Sequence, residues 1–327
     1  MIDKEELINH INECQGKKIL VIGDIMLDEY HWCTVKRISP EAPVPVCKVR
    51  KTTLVPGGAG NVAKNISSLK NIAYLIGVIG NDSSGQKLLD VLAASAINTD
   101  YVVQEEDRAT TLKSRIVAHQ QHVVRVDREE VSNINRKTAN KIYKNVIECL
   151  SQVDILLISD YLKGLLPAGF LQKIIKTAKE NRVHVIIDPK GRDYKKYKGA
   201  YVLTPNLHEF ETVIKKQDLN EKEILTEGLK LIKRLQLHAL VLTRSEKGVS
   251  IITEAGKKID VPTKAREVYD ITGAGDTFIS VLTISLAAGW SIEKASFLAN
   301  YAAGIVVGKI GTSATTFEEI KESVLHE

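Results

Sequence analysis

The sequence predicts an α/β protein with a doubly wound, mostly parallel sheet and helices on both faces. Its 327 residues are 44% hydrophobic and 26% charged, a composition typical of a globular protein with a large buried core. Short runs rich in β-branched residues recur along the chain, and amphipathic segments of helical length lie between them. Such alternation indicates parallel strands covered on both faces of the sheet.

Six runs are predicted to be buried strands because each is short, apolar and bounded by turn residues. They are KILVIG (18–23), AYLIGVIG (73–80), DILLISD (154–160), VHVIID (183–188), AYVLTPN (200–206) and HALVLTR (238–244). Amphipathic periodicity predicts helices over 61–69, 84–94, 136–150, 168–180, 221–236 and 275–288.

Two stretches interrupt this alternation of strands and helices. Residues 30–52 contain three prolines and alternate apolar with polar side chains, and residues 110–127 alternate in the same way. Proline confines strands to the edges of sheets, so both stretches are predicted to form β-structure outside the main sheet. We expect a small β-strand lid that leaves the main domain at two places; a pair of ordinary surface hairpins is the alternative.

Charge and cysteine content argue against several functional classes. The net charge is +5 and the lysines are scattered, which disfavours nucleic-acid binding but suits a small phosphorylated ligand. The four cysteines are far apart, which indicates reduced thiols and no zinc site. The start of the chain lacks the pattern of a signal peptide, and the most apolar stretch, 278–290, has only 13 residues. A cytoplasmic protein without membrane association is expected.

Acidic or amide side chains follow one predicted strand after another. They are Asp24, Asp160, Asp188 (with Lys190) and Asn206, and Asp28 and Glu209 follow within a turn. The carboxyl ends of parallel strands meet at one sheet edge, where α/β proteins bind their ligands. One such residue is usually a cap, but several carboxylates repel one another unless they bind a cation or sugar hydroxyls. The cluster therefore favours a metal-assisted reaction on a polyhydroxylated substrate.

Two loops of small residues, PGGAGNVAKN (56–65) and ITGAGDTF (271–278), open onto predicted helices. A small-residue turn at a helix start exposes N–H groups and the positive end of the dipole, so it attracts anions. Asp276 nevertheless places a carboxylate there. Taken alone, an aspartate in such a turn is more often a helix cap than a catalytic residue.

The first loop also supports a different class of function. Gly58-x-Gly60-x-x-Ala63, with Asp82 about 20 residues on, matches the loose dinucleotide-binding fingerprint of an NAD(P)-dependent oxidoreductase. That fingerprint belongs after the first strand, whereas this loop follows the predicted lid. A Walker A loop is absent from the sequence as well.

The two loops together resemble the paired signatures of the ribokinase-like (PfkB) carbohydrate kinases, and the resemblance extends along the whole chain. It implies a single ribokinase-like kinase domain over residues 1–327, with a lid formed by 30–52 and 110–127. RISPEAPVPV, ISDYLKG, IDPKGRDY and LTPNLHEFE look most like the members that phosphorylate D-glycero-β-D-manno-heptose 7-phosphate. Those members serve ADP-heptose synthesis for lipopolysaccharide. They often carry a C-terminal nucleotidyltransferase domain, which is not expected in this chain.

The resemblance implies that ATP, with Mg²⁺, phosphorylates the anomeric hydroxyl to give the 1,7-bisphosphate. Asp276 would be the base that takes the hydroxyl proton. The backbone N–H groups of Gly273, Ala274 and Gly275 would form an anion hole for the phosphoryl group in transfer. The carboxylate and the anion site then act on opposite partners of one reaction.

The resemblance also implies a nucleotide side of the site. Asn206-Leu207-His208-Glu209 resembles the family's Asn-x-x-Glu element, in which Asn206 and Glu209 act on Mg²⁺ through water; a capping box is the alternative. Ser245, in TRSEKG, stands where many members carry Gly. The other predicted ATP contacts are Thr243, Gly248, Asn300 and Ala303.

On the acceptor side, the residues that match the family's sugar-hydroxyl positions are Asp28, Gly57, Gly58 and Asn61, with Asp160 as a further candidate. The candidate cations for the 7-phosphate are Arg37, Arg115, Lys163 and Lys190. The segments that resemble the family's K⁺ loop are Asp270, Thr272 and Gly311-Thr312-Ser313. A homodimer is expected, because exposed apolar lid edges need cover, which a second lid would supply.

Three alternatives stay open at this point. The first is a related kinase for another sugar or sugar phosphate, such as fructose 1-phosphate or ribose. The second is the NAD(P)-dependent oxidoreductase. The third is a sugar-binding regulator without catalytic activity; the presence of Asp276, Asn206 and Glu209 argues against it.

Overall fold

The computed structural model describes residues 7–8, 11–119, 121–263, 270–309 and 313–326. The described strands are β1 (Lys18–Gly23), β2 (Ile25–Ile38), β3 (Pro45–Gly58), β4 (Ile72–Ile76), β5 (Val78–Gly80), β6 (Val103–Glu105), β7 (Leu112–Ala118), β8 (Gln121–Arg128), β9 (Ile155–Ser159), β10 (His184–Asp188), β11 (Val202–Leu203), β12 (Ala239–Thr243), β13 (Val249–Thr253) and β14 (Lys258–Val261).

The described α-helices are α1 (Ala59–Ser68), α2 (Ser83–Ala94), α3 (Arg136–Leu150), α4 (Ala168–Glu180), α5 (Leu207–Ile214), α6 (Glu221–Leu235), α7 (Ala274–Ala287), α8 (Ile292–Val306) and α9 (Phe317–Leu325). Short 3₁₀ helices span Ile11–Cys14, Tyr194–Tyr197 and Ser245–Lys247.

The main sheet has eight strands in the order β14-β13-β12-β11-β10-β9-β1-β4. The pairs from β12 to β4 are parallel, and β13 and β14 add an antiparallel edge. The predicted doubly wound, mostly parallel α/β fold is therefore confirmed.

Strand β1 illustrates how both faces of this sheet are covered. Ile19 and Val21 belong to one core cluster with residues of α1, α7 and α8, whereas Leu20 and Ile22 belong to another with residues of α3, α4 and α6. All four side chains are fully buried. Successive strand residues point to opposite faces, so a strand between two helical layers is apolar at every position.

The structure differs from the sequence prediction in several elements. Predicted strand 73–80 is two strands, β4 and β5, separated at Gly77, where an added Cβ would lie 2.8 Å from side-chain atoms of Ile25. The antiparallel strands β13 and β14 and the helices α5, α8 and α9 were not predicted. In α8, nine of fifteen residues are buried, so this helix lacks the broad polar face that marks an amphipathic segment.

A second sheet, here called the lid sheet, contains β3, β2, β7 and β8 in that order. Most of segments 30–52 and 110–127 lies within it, but β2 begins at Ile25 and β3 continues to Gly58, directly before α1. Gly57 and Gly58 are therefore strand residues rather than part of a loop. Every residue of β8 is exposed.

Two further expectations concern the described part of the chain. None of its helices is both long enough and apolar enough to cross a lipid bilayer. The four cysteines are free thiols.

Candidate active site

The candidate site lies at the carboxyl ends of the parallel strands, where the sequence predicted a cluster of polar groups. Asp24 follows β1, Asp160 follows β9, Asp188 ends β10, and Asn206 follows β11 by three residues. Because β1, β9, β10 and β11 are consecutive neighbours in the sheet, these residues line up along one edge.

Asp276 lies in the first turn of α7, but it does not cap this helix. The N-cap is Gly273, whose φ of 84° is the left-handed conformation that favours glycine. The Asp276 carboxylate instead accepts hydrogen bonds from two other elements. Asn61 Nδ2 donates to Oδ2 at 2.7 Å, and the Tyr161 hydroxyl donates to Oδ1 at 2.9 Å. The capping interpretation of Asp276 is therefore wrong.

Burial raises the pKa of Asp276 from 3.8 to about 6. The hydrogen bonds from Asn61 and Tyr161 and the charge of Lys190 oppose this rise, and the Asp28 carboxylate adds to it. A carboxyl group with this pKa is ionised at neutral pH, yet it is a stronger base than an ordinary aspartate.

The start of α7 forms an open turn beside this carboxylate. An added Cβ on Gly275 would meet no atom within 4 Å, so the backbone there is accessible. The Ala274 N–H donates to the Ile271 carbonyl at a long 3.3 Å. Within the described residues, no acceptor is found for the Gly275 N–H, as is usual for the first turn of a helix.

Three hydrogen bonds join the helices that follow the two small-residue segments, one of them from the Ser280 hydroxyl to the Val62 carbonyl at 3.3 Å. Besides the bond between Asn61 and Asp276, the Thr277 hydroxyl donates to Asn65 Oδ1 at 3.0 Å. Asn65 Nδ2 in turn donates to the Asn61 carbonyl at 2.9 Å. The buried Oδ1 of Asn61 has no hydrogen-bond partner among the described residues, so it remains available to accept a hydrogen bond from a hydroxyl.

The inner end of the lid sheet brings Asp28 to the site. Arg115 donates to Asp28 Oδ1 at 2.6 Å and lies 5.1 Å from the Tyr30 ring centre. Burial raises the pKa of Asp28, although Arg115 opposes the shift. A Cβ added to Gly57 would lie 2.5 Å from Asp28 Oδ2, so only glycine leaves room for this carboxylate.

A small polar cavity of about 140 Å³, here called the acidic pocket, opens in front of Asp276. The other ionisable side chains that line it are Tyr161, Asp188, Lys190 and Glu209. Lys190 Nζ lies 2.5 Å from Glu209 Oε1. Burial raises the pKa of Asp188 to about 7; Lys190 opposes this shift, whereas Asp276 and Glu209 increase it.

Asn206 and Glu209 also line the acidic pocket, and they form the capping box that the sequence left as the alternative. Asn206 Oδ1 accepts from the Glu209 N–H at 2.8 Å, and Glu209 Oε2 accepts from the Asn206 N–H at 2.9 Å. The capping role is real, and it fixes both side chains at the pocket.

A larger, mostly apolar cavity of about 490 Å³, here called the apolar pocket, adjoins the acidic pocket. The two share Thr243, Gly275 and Phe278 as lining residues. All five residues predicted to contact ATP outside the Asn-x-x-Glu element line the apolar pocket, namely Thr243, Ser245, Gly248, Asn300 and Ala303.

The backbone conformation of the TRSEKG turn explains which residues occupy two of its positions. Ser245 has a φ of 49°, the left-handed conformation that favours glycine, which is the residue that many family members carry there. Gly248 has a φ of 78°, and an added Cβ would lie 2.1 Å from the Val261 carbonyl oxygen. This turn is therefore held close against the strand edge beside the apolar pocket.

Several predicted residues are not brought to either pocket. Asp160 accepts three hydrogen bonds from within the protein, from Lys196 Nζ, the Tyr197 hydroxyl and the Leu162 N–H. Lys163 Nζ pairs with Glu129 at 2.7 Å. Arg37 is exposed near the outer end of β2.

The other predicted residues belong to the Asn-x-x-Glu element and to the segments that resemble the K⁺ loop. Leu207 packs against the hydrophobic core, and His208 lines a separate cavity with Glu211 and Lys215, because successive helix positions turn away from the N-cap. The Thr272 N–H donates to Asp270 Oδ1 at 2.9 Å. Gly311 and Thr312 lie outside the described residues.

Tyr161 is an ionisable residue of the site that the sequence analysis missed. Its segment, ISDYLKG, was recognised only as part of the family resemblance, and a tyrosine after a buried strand is usually a core residue. Its position directly after the strand-end acid Asp160 was the available signal.

The dinucleotide-binding interpretation is wrong. The Gly58-x-Gly60 segment spans the end of β3, a strand of the lid sheet, and the start of α1, and it does not follow the first strand of the main sheet. Asp82 caps α2 by accepting from the Gly85 N–H at 2.8 Å, and it also accepts from the Thr110 N–H.

The chain is similar to known proteins in both sequence and fold. The chain matches the model of the pfkB family of carbohydrate kinases over residues 16–319. It is 44% identical over 312 residues to the bifunctional protein HldE of Pasteurella multocida, covering 95% of this chain and 64% of that protein. It is 43% identical over 314 residues to HldE of Shigella boydii serotype 18, covering 96% of this chain and 65% of that protein.

The chain therefore spans somewhat less than two thirds of the length of these curated relatives. Among solved structures, Escherichia coli phosphofructokinase-2 in complex with potassium superposes with a TM-score of 0.79 at 17% identity, covering 95% of this chain and 99% of that one. Arabidopsis thaliana ribokinase complexed with ribose and ATP gives 0.73 at 19% identity, covering 95% and 98%. The chain belongs to the pfkB family of carbohydrate kinases.

Proposed function

We propose that this chain transfers the γ-phosphoryl group of ATP to the anomeric hydroxyl of D-glycero-β-D-manno-heptose 7-phosphate. The product is the 1,7-bisphosphate, and the reaction serves ADP-heptose and lipopolysaccharide core synthesis. The observation that carries the proposal is the buried Asp276 carboxylate beside the open first turn of α7, at the junction of the two pockets. Segment resemblance to heptose-7-phosphate kinases, together with the HldE relatives, supports this choice of sugar.

Asp276 is the general base of this transfer. The anomeric oxygen attacks the γ-phosphorus, its proton passes to the Asp276 carboxylate, and the bond from the γ-phosphorus to the ADP oxygen breaks. The N–H groups at the start of α7, from Gly273 to Gly275, stabilise the charge on the phosphoryl oxygens. Because the pKa of Asp276 is about 6, the base is ionised above that pH.

ATP binds with its adenine in the apolar pocket and its phosphates directed toward the acidic pocket. A partly enclosed apolar cavity next to a few polar groups is the usual form of a small-molecule site. Lys190 supplies a point charge near the phosphates. The resemblance to a ribokinase complexed with ribose and ATP supports this arrangement.

Asn206 and Glu209 would hold Mg²⁺ through water. The described residues contain no cluster of three His, Cys, Asp or Glu side chains able to hold a metal ion by themselves. This fits Mg²⁺, which usually binds one or two protein carboxylates together with substrate phosphates. When bound, Mg²⁺ neutralises phosphate charge; Asn206 and Glu209 orient its waters from their fixed capping geometry.

The sugar lies between the lid sheet and α1. Asp28 and Asn61 Oδ1 accept hydrogen bonds from its hydroxyls, and Gly57 and Gly58 allow the ring to approach the backbone. Arg115, which is already bonded to Asp28, orients that carboxylate. With Arg115 assigned to the sugar side of the site, Lys190 is left to act on the phosphoryl group in transfer.

K⁺ would be a second cation of the proposed enzyme, and Asp270 and Thr272, which precede α7, would hold it. A structural neighbour, phosphofructokinase-2, was solved in complex with potassium, which supports this assignment. Replacing K⁺ with tetramethylammonium at constant ionic strength should lower kcat; an unchanged rate would contradict the assignment.

The single kinase domain with its lid sheet is proposed to act as a homodimer. Val124 and Val126 on β8 are exposed and lie on the same face of the lid sheet, where an apolar face without cover favours association. Sedimentation of the wild type and a Val124→Lys/Val126→Lys variant tests this. A wild-type monomer at micromolar concentration would contradict it.

The activity is tested by ADP release with Mg·ATP against D-manno-heptose 7-phosphate, sedoheptulose 7-phosphate, fructose 6-phosphate, fructose 1-phosphate and ribose. Turnover should be confined to the heptose phosphate and should fall by about 10²–10⁴ in Asp276→Asn, as expected for a lost general base. Preference for another sugar would retain the kinase and overturn the substrate. No turnover with any sugar would overturn the proposed activity.

A further inference from the structure

We propose that Tyr161 is a positioning residue that orients the Asp276 carboxylate and sets the pH above which it is ionised. This inference rests on the proposed function, because it gives a role to the partner of the proposed base. It stands on the 2.9 Å hydrogen bond from the Tyr161 hydroxyl to Asp276 Oδ1 and on the way the chain fixes Tyr161 in place.

The turn that carries Tyr161 is held by two buried strand-end acids. Asp24 Oδ2 accepts from the Tyr161 N–H at 2.9 Å and from the Lys163 N–H at 3.1 Å. Asp160 Oδ1 accepts from the Leu162 N–H at 3.0 Å. Three successive backbone N–H groups therefore bind carboxylates that follow the neighbouring strands β1 and β9. Asp24 and Asp160 therefore have a structural role, which is to hold this turn, and that role requires no ligand.

The carbonyl groups of the same turn are also held. Arg108 donates to the Lys163 carbonyl at 3.1 Å, and the Ile134 N–H donates to the Gly164 carbonyl at 3.0 Å. Gly164 has a φ of 95°, and an added Cβ would lie 1.9 Å from the Ser132 carbonyl oxygen. A turn with this many fixed groups holds the phenol ring in a single place, as a positioning residue requires.

The chemistry of the pair fixes the direction of the hydrogen bond. Burial, followed by the charge of Asp276, holds the pKa of Tyr161 well above its usual range, so the hydroxyl keeps its proton and donates. A donated hydrogen bond favours the ionised carboxylate and lowers its pKa. Asn61 binds the other oxygen, so the two donors fix the carboxylate plane.

Other charges also face Asp276. Lys190 lowers its pKa and Asp28 raises it, while Asp188 and Glu209 line the same pocket. A Tyr161→Phe variant keeps the ring and all of these groups and removes only one hydroxyl. The pKa of Asp276 should then rise by about 1 unit, the usual order of effect for one hydrogen bond to a charged group.

The experiment compares the wild type with Tyr161→Phe and with Tyr143→Phe as a matched control. Tyr143 makes a hydrogen bond of the same 2.9 Å length, to the Thr177 hydroxyl, away from both pockets. The ¹³C-carboxyl resonance of Asp276, assigned by its loss in Asp276→Asn, is titrated in each protein. This readout requires no turnover, so it separates failure of the inference from failure of the proposed kinase activity.

The Asp276 titration should move upward by about 1 unit in Tyr161→Phe and stay in place in Tyr143→Phe. In the kinase assay, the loss of kcat/KM in Tyr161→Phe relative to wild type should be about fivefold larger at pH 6 than at pH 8.5, because the ionised fraction of Asp276 falls at pH 6 while the loss of orientation is the same at both. An unchanged Asp276 titration, or a loss of rate that is equal at every pH, would overturn the inference.

Discussion

Replacing Asp276 with asparagine should stabilise the folded protein at neutral and alkaline pH while it removes the proposed base. The fold raises the pKa of this carboxyl group from 3.8 to about 6, mainly through burial. The folded state therefore binds the proton more tightly than the unfolded chain does, so ionisation costs stability. The cost is absent below the pKa of the unfolded chain, grows as the pH rises through the unfolded and folded pKa values, and is complete above the pKa of the folded protein.

The size of the effect follows from this pKa shift. A rise of about 2 units corresponds to about 3 kcal/mol of lost stability at pH 8, and to roughly half of that at pH 5. Asparagine cannot accept from both Asn61 and Tyr161, because its amide places an NH₂ group against one of them. That mismatch costs about 1 kcal/mol at every pH. We expect Asp276→Asn to be about 2 kcal/mol more stable than wild type at pH 8, and the difference to shrink by about 1 kcal/mol or more at pH 5.

The assay is urea denaturation followed by circular dichroism at pH 5, 6, 7 and 8. Asp90→Asn, at an exposed position on α2, serves as a control and should change stability by less than about 0.5 kcal/mol. An Asp276→Asn variant that is less stable than wild type at pH 8 would refute the reasoning. A stability difference that is equal at pH 5 and pH 8 would refute it as well.

Three more predictions concern other residues of the candidate site. Gly57→Ala should raise the sugar KM by about tenfold or more and leave the ATP KM unchanged, because the new Cβ displaces the Asp28 carboxylate. Gly169→Ala is its control, since a Cβ added at Gly169 would meet no atom within 4 Å. Equal sugar KM values for the two variants would contradict the prediction. Arg115→Met should lower the free energy of unfolding at pH 7 by about 3–5 kcal/mol, since it leaves Asp28 buried without its cation, and a loss below about 1 kcal/mol would contradict this. Glu209→Gln should raise the Mg²⁺ concentration that gives half-maximal rate at fixed ATP, and an unchanged Mg²⁺ dependence would exclude Glu209 from the metal site.

Much of the fold was predictable because the parallel strands are buried on both faces. Runs such as residues 19–23 are apolar at every position for this reason, and the helices between them keep one polar face. Helix α8 was missed because it is buried on most of its surface. The strand boundary at Gly77 depends on close packing against Ile25, a contact distant in sequence.

The candidate site was predictable where a residue type and its position were both unusual. Asp276 stands in a small-residue turn, and the residues around the apolar pocket match a family pattern. Asp160 was predicted to bind the substrate, whereas in the structure it accepts a hydrogen bond from its own turn; a strand-end acid that binds its own turn has the same local sequence as one that binds a substrate. Tyr161 was missed because its partner lies 115 residues away, beyond any local pattern.

The central claim is that Asp276 directs phosphoryl transfer to the anomeric oxygen of a heptose phosphate. The most direct test is ³¹P NMR of the product formed from Mg·ATP and D-glycero-β-D-manno-heptose 7-phosphate by wild type and by Asp276→Asn. The account predicts a new anomeric phosphate signal, coupled to the proton on carbon 1, with wild type only. A phosphate on any other carbon, or equal product from the folded variant, would contradict it.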